Sequence, residues 1–174
     1  MAGNNPMQEF VGLSIAVVTV SDTRNEENDT SGQFLRDALL GAGHHLHSKL
    51  ICRDDVYRLR ALVAGLIAES SVHVILVTGG TGFTKRDNTV VALTPLFDSS
   101  IDGFGELFRQ ISFTEIGTST IQSRAFAGLS NSTAVFCMPG STGACKTAWN
   151  GIIASQLDSL HRPCNFVDRL LQKE

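Results

Sequence analysis

Residues 72–82 read Val-His-Val-Ile-Leu-Val-Thr-Gly-Gly-Thr-Gly, an apolar run that leads directly into a glycine-rich loop. A short and almost wholly apolar run is typical of a strand that is covered on both faces, as in the middle of a parallel sheet. The glycines that follow are typical of a tight turn between a strand and a helix. This stretch predicts an α/β fold with the glycine-rich loop at the carboxyl edge of the sheet.

Three more apolar runs surround this stretch and predict further strands. They span residues 13–20, 46–52 and 133–138. Segments with helical periodicity separate these strands, so strand and helix alternate over much of the chain. Such an order predicts right-handed crossovers and a mainly parallel sheet with helices on both sides.

Polar side chains mark where the predicted helices begin. One helix starts near Thr30 or Ser31 and the next near Asp54 or Asp55, because these residue types cap helix N-termini. A last helix is expected over residues 144–160, where apolar side chains recur at helical spacing. These helices supply the layers that cover the sheet.

Residues 88–132 lack this regularity, and we expect short helices and loops there, over the end of the sheet. Aromatic side chains are enriched both in cores and at subunit interfaces, so core filling and self-association are both open interpretations of the phenylalanines in this segment. Ser123 and Arg124 lie early in a short helical pattern, where Arg124 either reaches an anion or stays solvated. The phenylalanines concerned are Phe97, Phe104, Phe108, Phe113 and Phe126.

Length and composition exclude several classes of protein. The chain has 174 residues, the size of one domain, and its net charge of -3 has the wrong sign for binding nucleic acid through phosphates. Its longest apolar run, 61–68, is far shorter than the roughly 18 residues that a membrane span needs. Residues 1–10 lack the pattern of a secretory signal, and the four scattered cysteines are expected to be reduced thiols. We therefore expect a soluble, cytoplasmic protein.

Three loops rich in glycine and hydroxyl side chains follow predicted strands, at residues 21–32, 78–87 and 139–143. The carboxyl ends of parallel strands share one edge of a sheet, so these loops are expected to meet there. Their free backbone N–H groups suit an anion such as phosphate. The central loop is neither a Walker loop nor a dinucleotide fingerprint, because Thr84 precedes Lys85 and Lys85 takes the place of a third glycine.

Acidic side chains gather at the same predicted edge. Magnesium prefers hard oxygen ligands, commonly one or two carboxylates together with water and substrate phosphates. One interpretation is therefore a metal-dependent phosphoryl or nucleotidyl transfer. Asp54 and Asp87 each also precede a predicted helix, so helix capping is the other interpretation for this pair. The acidic residues concerned are Asp22, Asp29, Asp54, Asp87 and Glu106.

The cluster His44-His45-x-His47 follows a helix stop and opens the second strand, which places it at the opposite edge of the sheet. We interpret this cluster as a solvated turn rather than a metal site. His73 and His161 stand alone without a visible triad partner, and we assign them no catalytic role.

Five motifs stand in order along the chain: Ser21-Asp22-Thr23, Asp29-x-Ser31-Gly32, Thr78-Gly79-Gly80-Thr81-Gly82 with Asp87, Gly103-Phe104-Gly105-Glu106, and Pro139-Gly140-Ser141. In this combination they resemble the MoaB/MogA family of molybdenum cofactor biosynthesis proteins. Ordered motifs at matching spacing are more specific than any one of them. The resemblance covers residues 12–166 as one domain and leaves residues 1–11 and 167–174 as terminal tails.

The resemblance implies a three-layer α/β/α sandwich, of the molybdopterin-binding kind, that assembles into trimers or pairs of trimers. It also implies that molybdopterin and ATP bind at the strand ends. In active members the terminal phosphate of the pterin attacks the α-phosphorus of Mg-ATP, which gives adenylyl-molybdopterin and pyrophosphate. Catalysis of such a transfer is mainly positioning and charge stabilisation.

The motifs carry the roles of single residues with them. The resemblance implies that Asp54 and Asp87 are the catalytic residues and hold Mg²⁺. The residues that it implies for substrate binding are Ser21, Asp22, Ser31, Thr78, Gly79, Gly80, Thr81, Gly82, Glu106, Ser119, Pro139, Gly140 and Ser141.

One position departs from the family pattern. Family members often carry lysine two residues after the serine of the Pro-Gly-Ser loop, where this chain has Gly143, so Lys146 would have to supply the charge. The family also includes chains without adenylylation activity, so a noncatalytic molybdopterin-binding or scaffold protein is the alternative to an adenylyltransferase. An unrelated nucleotide hydrolase is a third interpretation, which the missing Walker pattern disfavours.

Overall fold

The computed structural model describes residues 9–173, and this range forms a six-stranded sheet. Its strands are β1 (Ser14–Val20), β2 (His45–Cys52), β3 (Val74–Thr78), β4 (Ser99–Ser100), β5 (Phe126–Ser130) and β6 (Thr133–Met138). They lie in the order β2-β1-β3-β6-β5-β4. The first four in that order run parallel, whereas β5 is antiparallel to both β6 and β4. The predicted α/β fold with a mainly parallel sheet is therefore confirmed.

Helices alternate with the parallel strands. They are α1 (Thr30–Gly41), α2 (Val56–Ala68), α3 (Thr89–Leu93), α4 (Asp102–Ile116), α5 (Thr142–Ala148), α6 (Ala154–Leu157) and α7 (Val167–Leu170). A 3-10 turn over Gly117–Gln122 follows α4, and a π-helical turn over Trp149–Ile153 joins α5 to α6. The helix expected over 144–160 is thus interrupted by a wider turn, although Trp149 and Leu157 are buried on it as the spacing predicts.

Two hydrophobic clusters cover the two faces of the sheet, because successive side chains of a strand point to opposite faces. In β1, Ile15 and Val17 pack in the cluster that contains residues of α1, α4 and α5. Ala16 and Val18 pack in the cluster that contains residues of α2 and α3. Full burial of a Val or Ile side chain contributes about 1.5–3 kcal/mol, so this strand anchors both layers. The result is a three-layer α/β/α sandwich.

The start of α1 corrects the sequence analysis, whereas the start of α2 agrees with one of its two candidate caps. Asp29, rather than Thr30 or Ser31, caps α1 by accepting the Gly32 N–H at 2.9 Å. Asp55 caps α2 by accepting backbone N–H groups of the first turn at 2.9 and 3.1 Å. The buried Asp29 is therefore the cap of α1. Asp54, which precedes Asp55, does not cap α2 and is available for another role.

Residues 88–132 are more regular than the sequence indicated. They hold the 15-residue helix α4 and the antiparallel strands β4 and β5. The prediction of a short helix around Arg124 is wrong, because β5 begins two residues later. The phenylalanines divide between the two interpretations: Phe104 and Phe108 are buried in the core, whereas Phe113 is 55% exposed.

The end of the described chain packs on the domain instead of forming a separate tail. Val167 and Leu170 of α7 are buried in the core. Lys173 Nζ donates to the carbonyl oxygens of Ile67 at 2.8 Å and Val72 at 3.0 Å. The expected C-terminal tail from residue 167 is therefore part of the fold, while most of the expected N-terminal tail, residues 1–8, lies outside the described residues.

Candidate active site

A cavity of about 500 Å³ lies at the carboxyl ends of β1, β3 and β6. Its walls are the loops that follow these strands, one face of α4 and the 3-10 turn after it. The structure brings most of the expected site residues to this cavity. Those that line it are Ser21, Asp54, Thr78, Gly79, Gly80, Thr81, Gly82, Asp87, Ser119, Pro139, Gly140 and Ser141.

The glycine-rich loop has a backbone that only glycine adopts easily. Gly79 and Gly80 have φ values of 106° and 66°, in the left-handed region. A Cβ on Gly79 would overlap the Val20 carbonyl, and one on Gly80 would stand 2.9 Å from Asp54 Oδ2. Thr89 locks the turn, because its N–H donates to Gly80 O at 3.0 Å and its hydroxyl donates to Gly79 O at 2.7 Å. The loop is therefore held at a fixed and close distance from Asp54.

Asp54 reaches the cavity from the loop between β2 and α2. Its Oδ1 accepts the Asn88 N–H at 3.0 Å, and the Asn88 side-chain amide donates to Asp54 O at 3.2 Å. Burial raises the pKa of Asp54, the Asn88 hydrogen bonds lower it, and the charges of Asp87 and Asp22 raise it further, with a net increase. Because Asp55 is the cap of α2, helix capping does not account for Asp54.

Asp87 closes the loop that carries it. Its Oδ2 accepts the Thr84 N–H at 2.8 Å and the Thr84 hydroxyl at 2.6 Å. Burial would raise the pKa of Asp87, but the hydrogen bonds from Thr84 and Gly82 and the charge of Arg124 lower it. The N-cap position of α3 is Asn88, so Asp87 is an ionised loop residue rather than a helix cap.

The loop after β6 is fixed from behind. Ser31 Oγ donates to Gly140 O at 2.9 Å, and Thr78 Oγ1 donates to Pro139 O at 3.0 Å. Ser141 caps α5, since its Oγ accepts the Ala144 N–H at 3.1 Å. Ser31 thus supports the cavity wall without lining it.

Arg124 holds the loop between β3 and α3, a role that the sequence analysis did not identify. Its Nη2 donates to Asp87 O at 3.0 Å and also to Gly82 O. Its Nε donates to Thr81 O at 3.3 Å. The guanidinium therefore neither reaches the open cavity as an anion ligand nor stays solvated.

Comparisons with known proteins agree with this geometry. The family described as a probable molybdopterin binding domain matches residues 16–159. The chain belongs to the MoaB/MogA family of molybdenum cofactor biosynthesis proteins. Molybdenum cofactor biosynthesis protein B of Escherichia coli (strain K12) is 56% identical over 158 residues, which cover 91% of this chain and 93% of that protein.

Solved structures show the same likeness. A crystal structure of a molybdenum cofactor biosynthesis protein B gives a TM-score of 0.84 at 45% identity, covering 86% of this chain and 94% of that one. The tungsten cofactor synthesizing protein MoaB from Pyrococcus furiosus gives a TM-score of 0.73 at 36% identity, covering 81% of this chain and 90% of that one. The fold and the family are thus supported by both sequence and structure.

Besides Ser31, two residues that the family motifs imply for substrate binding, Asp22 and Glu106, do not line the cavity. Glu106 is exposed on α4 and lines a separate cavity of about 380 Å³ together with Arg109 and Asp102. Asp22 is not among the lining residues, and its carboxylate pairs with Arg86 at the rim. Glu106 therefore lines a cavity other than the main one in its own chain.

The charge expected from Lys146 is also absent from this cavity. Lys146 lines a different cavity beside Gly143, and its Nζ lies 5.9 Å from the centre of the Phe34 ring. Arg24 is instead the basic residue among the cavity-lining residues. Its Nη1 donates to Asn28 O at 2.9 Å, which keeps the guanidinium on the loop after β1.

Several lining residues were missed by the sequence analysis because α4 was not predicted. Phe108, Ser112 and Ile116 follow each other at four-residue spacing, and this helical face forms one wall of the cavity. That spacing is the signal by which they could have been found. The other residues missed are Thr19, Val20, Arg24, Gln122, Ser123 and Ala144.

Within residues 9–173, no three His, Cys, Asp or Glu side chains converge in a way that could hold a metal ion. Over the same range, no helix has both the length and the apolar character to cross a bilayer. All four cysteines are free thiols, and only Cys164 among them is exposed.

Proposed function

We propose that this protein is a molybdopterin adenylyltransferase that uses Mg-ATP and releases pyrophosphate. The observation that carries the proposal is the common cavity of the glycine-rich loop and the two carboxylates of Asp54 and Asp87. A loop with free backbone N–H groups suits phosphate oxygens, and carboxylates beside it suit a divalent cation. Membership of the MoaB/MogA family supplies the pterin as the second substrate.

The dimensions of the cavity agree with this proposal. A volume of about 500 Å³ is within the range of sites for small ligands, roughly 300–1,000 Å³. Its apolar wall on α4, with Phe108 and Ile116, suits the flat rings of a pterin or an adenine. The loops after β3 and β6 supply polar backbone to another part of the lining. We assign the phosphates to this polar side.

The donor set fits magnesium. Asp54 and Asp87 offer hard oxygen ligands at one wall, and magnesium commonly takes one or two carboxylates together with water and substrate phosphates. Bound there, Mg²⁺ would neutralise charge on the phosphate oxygens during the transfer.

The chain itself would contribute position rather than covalent chemistry. The fixed loop at Gly79 and Gly80 would align the triphosphate, and Asp54 and Asp87 would fix the orientation of its charged end. The loop after β6 would hold the terminal phosphate of the pterin in line with the α-phosphorus. Alignment of this kind is the main source of catalysis in phosphoryl and nucleotidyl transfer.

The experiment that tests this proposal measures pyrophosphate release from Mg-ATP in the presence of molybdopterin. We expect release by the wild-type protein and a loss of about 100-fold or more for Asp54→Asn and for Asp87→Asn, because each removes a charge at the reacting phosphates. Asp37→Asn is the matched control, since Asp37 is an exposed carboxylate on α1 outside the cavity. Wild-type protein that releases no pyrophosphate would exclude the proposal.

A noncatalytic molybdopterin-binding or scaffold protein is the second candidate. Two observations favour it: Asp87 already closes its own loop, and Lys146 lies outside the cavity. This candidate predicts saturable binding of molybdopterin that survives Asp54→Asn, with no ATP consumed. Fluorescence titration with the pterin, run beside the pyrophosphate assay, separates the two functions.

We also propose that the protein works as a homo-oligomer, either a trimer or a hexamer. The exposed apolar side chains of α4 and the following turn, such as Phe113 at 55% and Ile121 at 67%, support an assembled state. Sedimentation velocity tests this directly. A monomer at micromolar concentration would exclude it.

A further inference from the structure

Arg124 makes an unusual set of contacts with one short loop. It lies just before β5, and its backbone N–H donates to Thr81 O at 3.2 Å. Its side chain donates to the carbonyl oxygens of Thr81, Gly82 and Asp87. The guanidinium also lies under the ring of Phe83, with 4.9 Å between its Cζ and the ring centre. One half-buried side chain thus binds the first and the last residue of the segment from Thr81 to Asp87.

These contacts complement those of the Asp87 carboxylate. Arg124 takes carbonyl oxygens of the loop, whereas Asp87 takes N–H and hydroxyl groups from Thr84. The positively charged guanidinium therefore binds carbonyl oxygens of the loop, and the negatively charged carboxylate binds the N–H and hydroxyl groups of Thr84. A planar guanidinium suits this because it presents several donors in a fixed fork, which an ammonium group cannot do.

Arg124 also connects two walls of the cavity. The loop between β3 and α3 forms one wall, and the turn that ends beside Arg124 supplies Ser119, Gln122 and Ser123 to another. A displacement of Arg124 would move both walls relative to each other. Arg124 is not itself one of the lining residues.

We propose that Arg124 is a positioning residue that fixes the loop from Thr81 to Asp87 in the shape that receives the pyrophosphate part of the nucleotide. It acts through the loop and does not touch the ligand. This inference rests on the proposed function for the identity of the nucleotide. The shape of the loop also governs the binding of pyrophosphate alone, so its effect can be measured without turnover.

The chain offers a closely matched control at Arg60. Its guanidinium also donates to two backbone carbonyls, Ala92 O at 3.0 Å and Val91 O at 2.9 Å, and it lies 6.0 Å from the Tyr57 ring centre. These contacts join α2 to α3 outside the cavity. Arg60→Gln therefore removes the same kind of interaction without affecting the loop.

The test compares Arg124→Gln, Arg124→Lys and Arg60→Gln in two measurements. The first is the KM for Mg-ATP and the kcat of pyrophosphate release in the presence of molybdopterin. The second is calorimetric binding of Mg-pyrophosphate to the protein alone. Thermal unfolding of each variant shows that it is folded, and circular dichroism checks its helix content.

We expect kcat/KM for Mg-ATP to fall about 100-fold in Arg124→Gln, the loss that a displacement of about 1 Å can cause. Affinity for Mg-pyrophosphate should fall in the same variant. Arg124→Lys should recover only part of both losses, because one ammonium cannot reach all the carbonyls. Arg60→Gln should lose stability but keep both the KM and the pyrophosphate affinity.

A second variant separates the loss of the Arg124 contacts from a general loss of folding. Arg124→Ala leaves space for a free guanidinium ion, and millimolar guanidinium should restore part of its pyrophosphate binding but should not improve Arg60→Ala. Unchanged pyrophosphate affinity and unchanged KM in folded Arg124→Gln would overturn the inference. Wild-type protein that binds Mg-pyrophosphate but produces no pyrophosphate from Mg-ATP and molybdopterin would overturn the proposed function. The inference on Arg124 would then still hold.

Discussion

Glycine at position 80 is required by the site and not by the helix layers. Its φ of 66° is in the left-handed region, and a Cβ there would overlap Thr89 Oγ1 and stand 2.9 Å from Asp54 Oδ2. Gly80→Ala should lower the free energy of unfolding by about 1–2 kcal/mol or more through strain, and should also weaken ATP binding. Gly65→Ala is the opposite control, since Gly65 lies within α2 with open space around it and should gain about 0.5–1 kcal/mol.

Urea denaturation of both variants checks this contrast. Equal effects of the two substitutions would contradict the requirement for glycine at position 80. ATP titration of the folded variants then shows whether only Gly80→Ala affects the ligand. The glycine motif was visible in the sequence, but the close approach of Asp54 to it was not, because the two residues are distant along the chain.

We expect the ion pair of Lys49 and Asp29 to stabilise the folded protein. Lys49 Nζ lies 3.0 Å from Asp29 Oδ2, and Asp29 is fully buried. Burial would raise the pKa of Asp29, but the hydrogen bonds from Gly32, Lys49 and Thr19 hold it below 3.8. Lys49→Met should lower the free energy of unfolding by about 3 kcal/mol at pH 7, because the buried carboxylate loses its partner.

The pH dependence of this loss follows from the lowered pKa of Asp29. A carboxyl with a lowered pKa contributes stability above its unfolded value of 3.8 and loses it as pH falls through the folded value. The difference between wild type and Lys49→Met should therefore shrink below about pH 4. Urea denaturation at pH 7 and at about pH 3 measures it, with the exposed Lys85→Met as control. A constant difference would contradict this explanation.

Two histidines anchor the start of β1, the strand that carries both hydrophobic layers. His44 Nδ1 accepts the Leu13 N–H at 3.2 Å, and His73 Nδ1 accepts the Ser14 N–H at 3.0 Å. Both imidazoles must be neutral at Nδ1 to accept these bonds. Burial lowers the pKa of both rings; His45 lowers that of His44 further while Asp158 opposes the shift, and Lys173 lowers that of His73.

This arrangement predicts a loss of stability in mild acid. The unfolded chain binds protons near pH 6.5, whereas the folded chain binds them only at lower pH, so the free energy of unfolding should fall as pH drops below about 6.5. Denaturation between pH 8 and pH 5 measures the slope, which should be smaller in His44→Gln and in His73→Gln. His45→Gln, at an exposed position, removes only one of the contributions that lower the pKa of His44, so it should reduce the slope less than His44→Gln does. The same slope in all three variants would exclude the two histidines as its source.

Helix α4 and the turn between β5 and β6 were not predicted from the sequence, and each omission has a physical explanation. Helix α4 begins with Gly103 and Gly105 in its first turns, which lowers its helix propensity, and the burial of Phe104 and Phe108 overrides that propensity. The turn between β5 and β6 has positive φ at Asn131 and Ser132, 48° and 56°. Asn at such a turn is a hairpin signal that the sequence analysis did not use.

The whole molecule was more predictable than its parts, because the alternation of apolar strands and amphipathic helices determines the layers. The same topology rule places loops from distant positions at one edge, so the cavity at 21–32, 78–87 and 139–143 was also predictable. The bonds across it were not: Arg124 binds residues that lie 37 and 43 positions earlier. Such contacts depend on tertiary structure that no local pattern encodes.

In the proposed reaction, the adenylyl group of ATP passes to the terminal phosphate of molybdopterin in this cavity and pyrophosphate leaves. Single-turnover transfer of label from ATP that is radioactive at its α-phosphorus, with molybdopterin and Mg²⁺, tests it most directly. We expect one labelled adenylyl group on the pterin for each pyrophosphate released, and a rate of labelling about 100-fold or more lower with Asp54→Asn. Saturating molybdopterin that stays unlabelled on folded wild-type protein would contradict it.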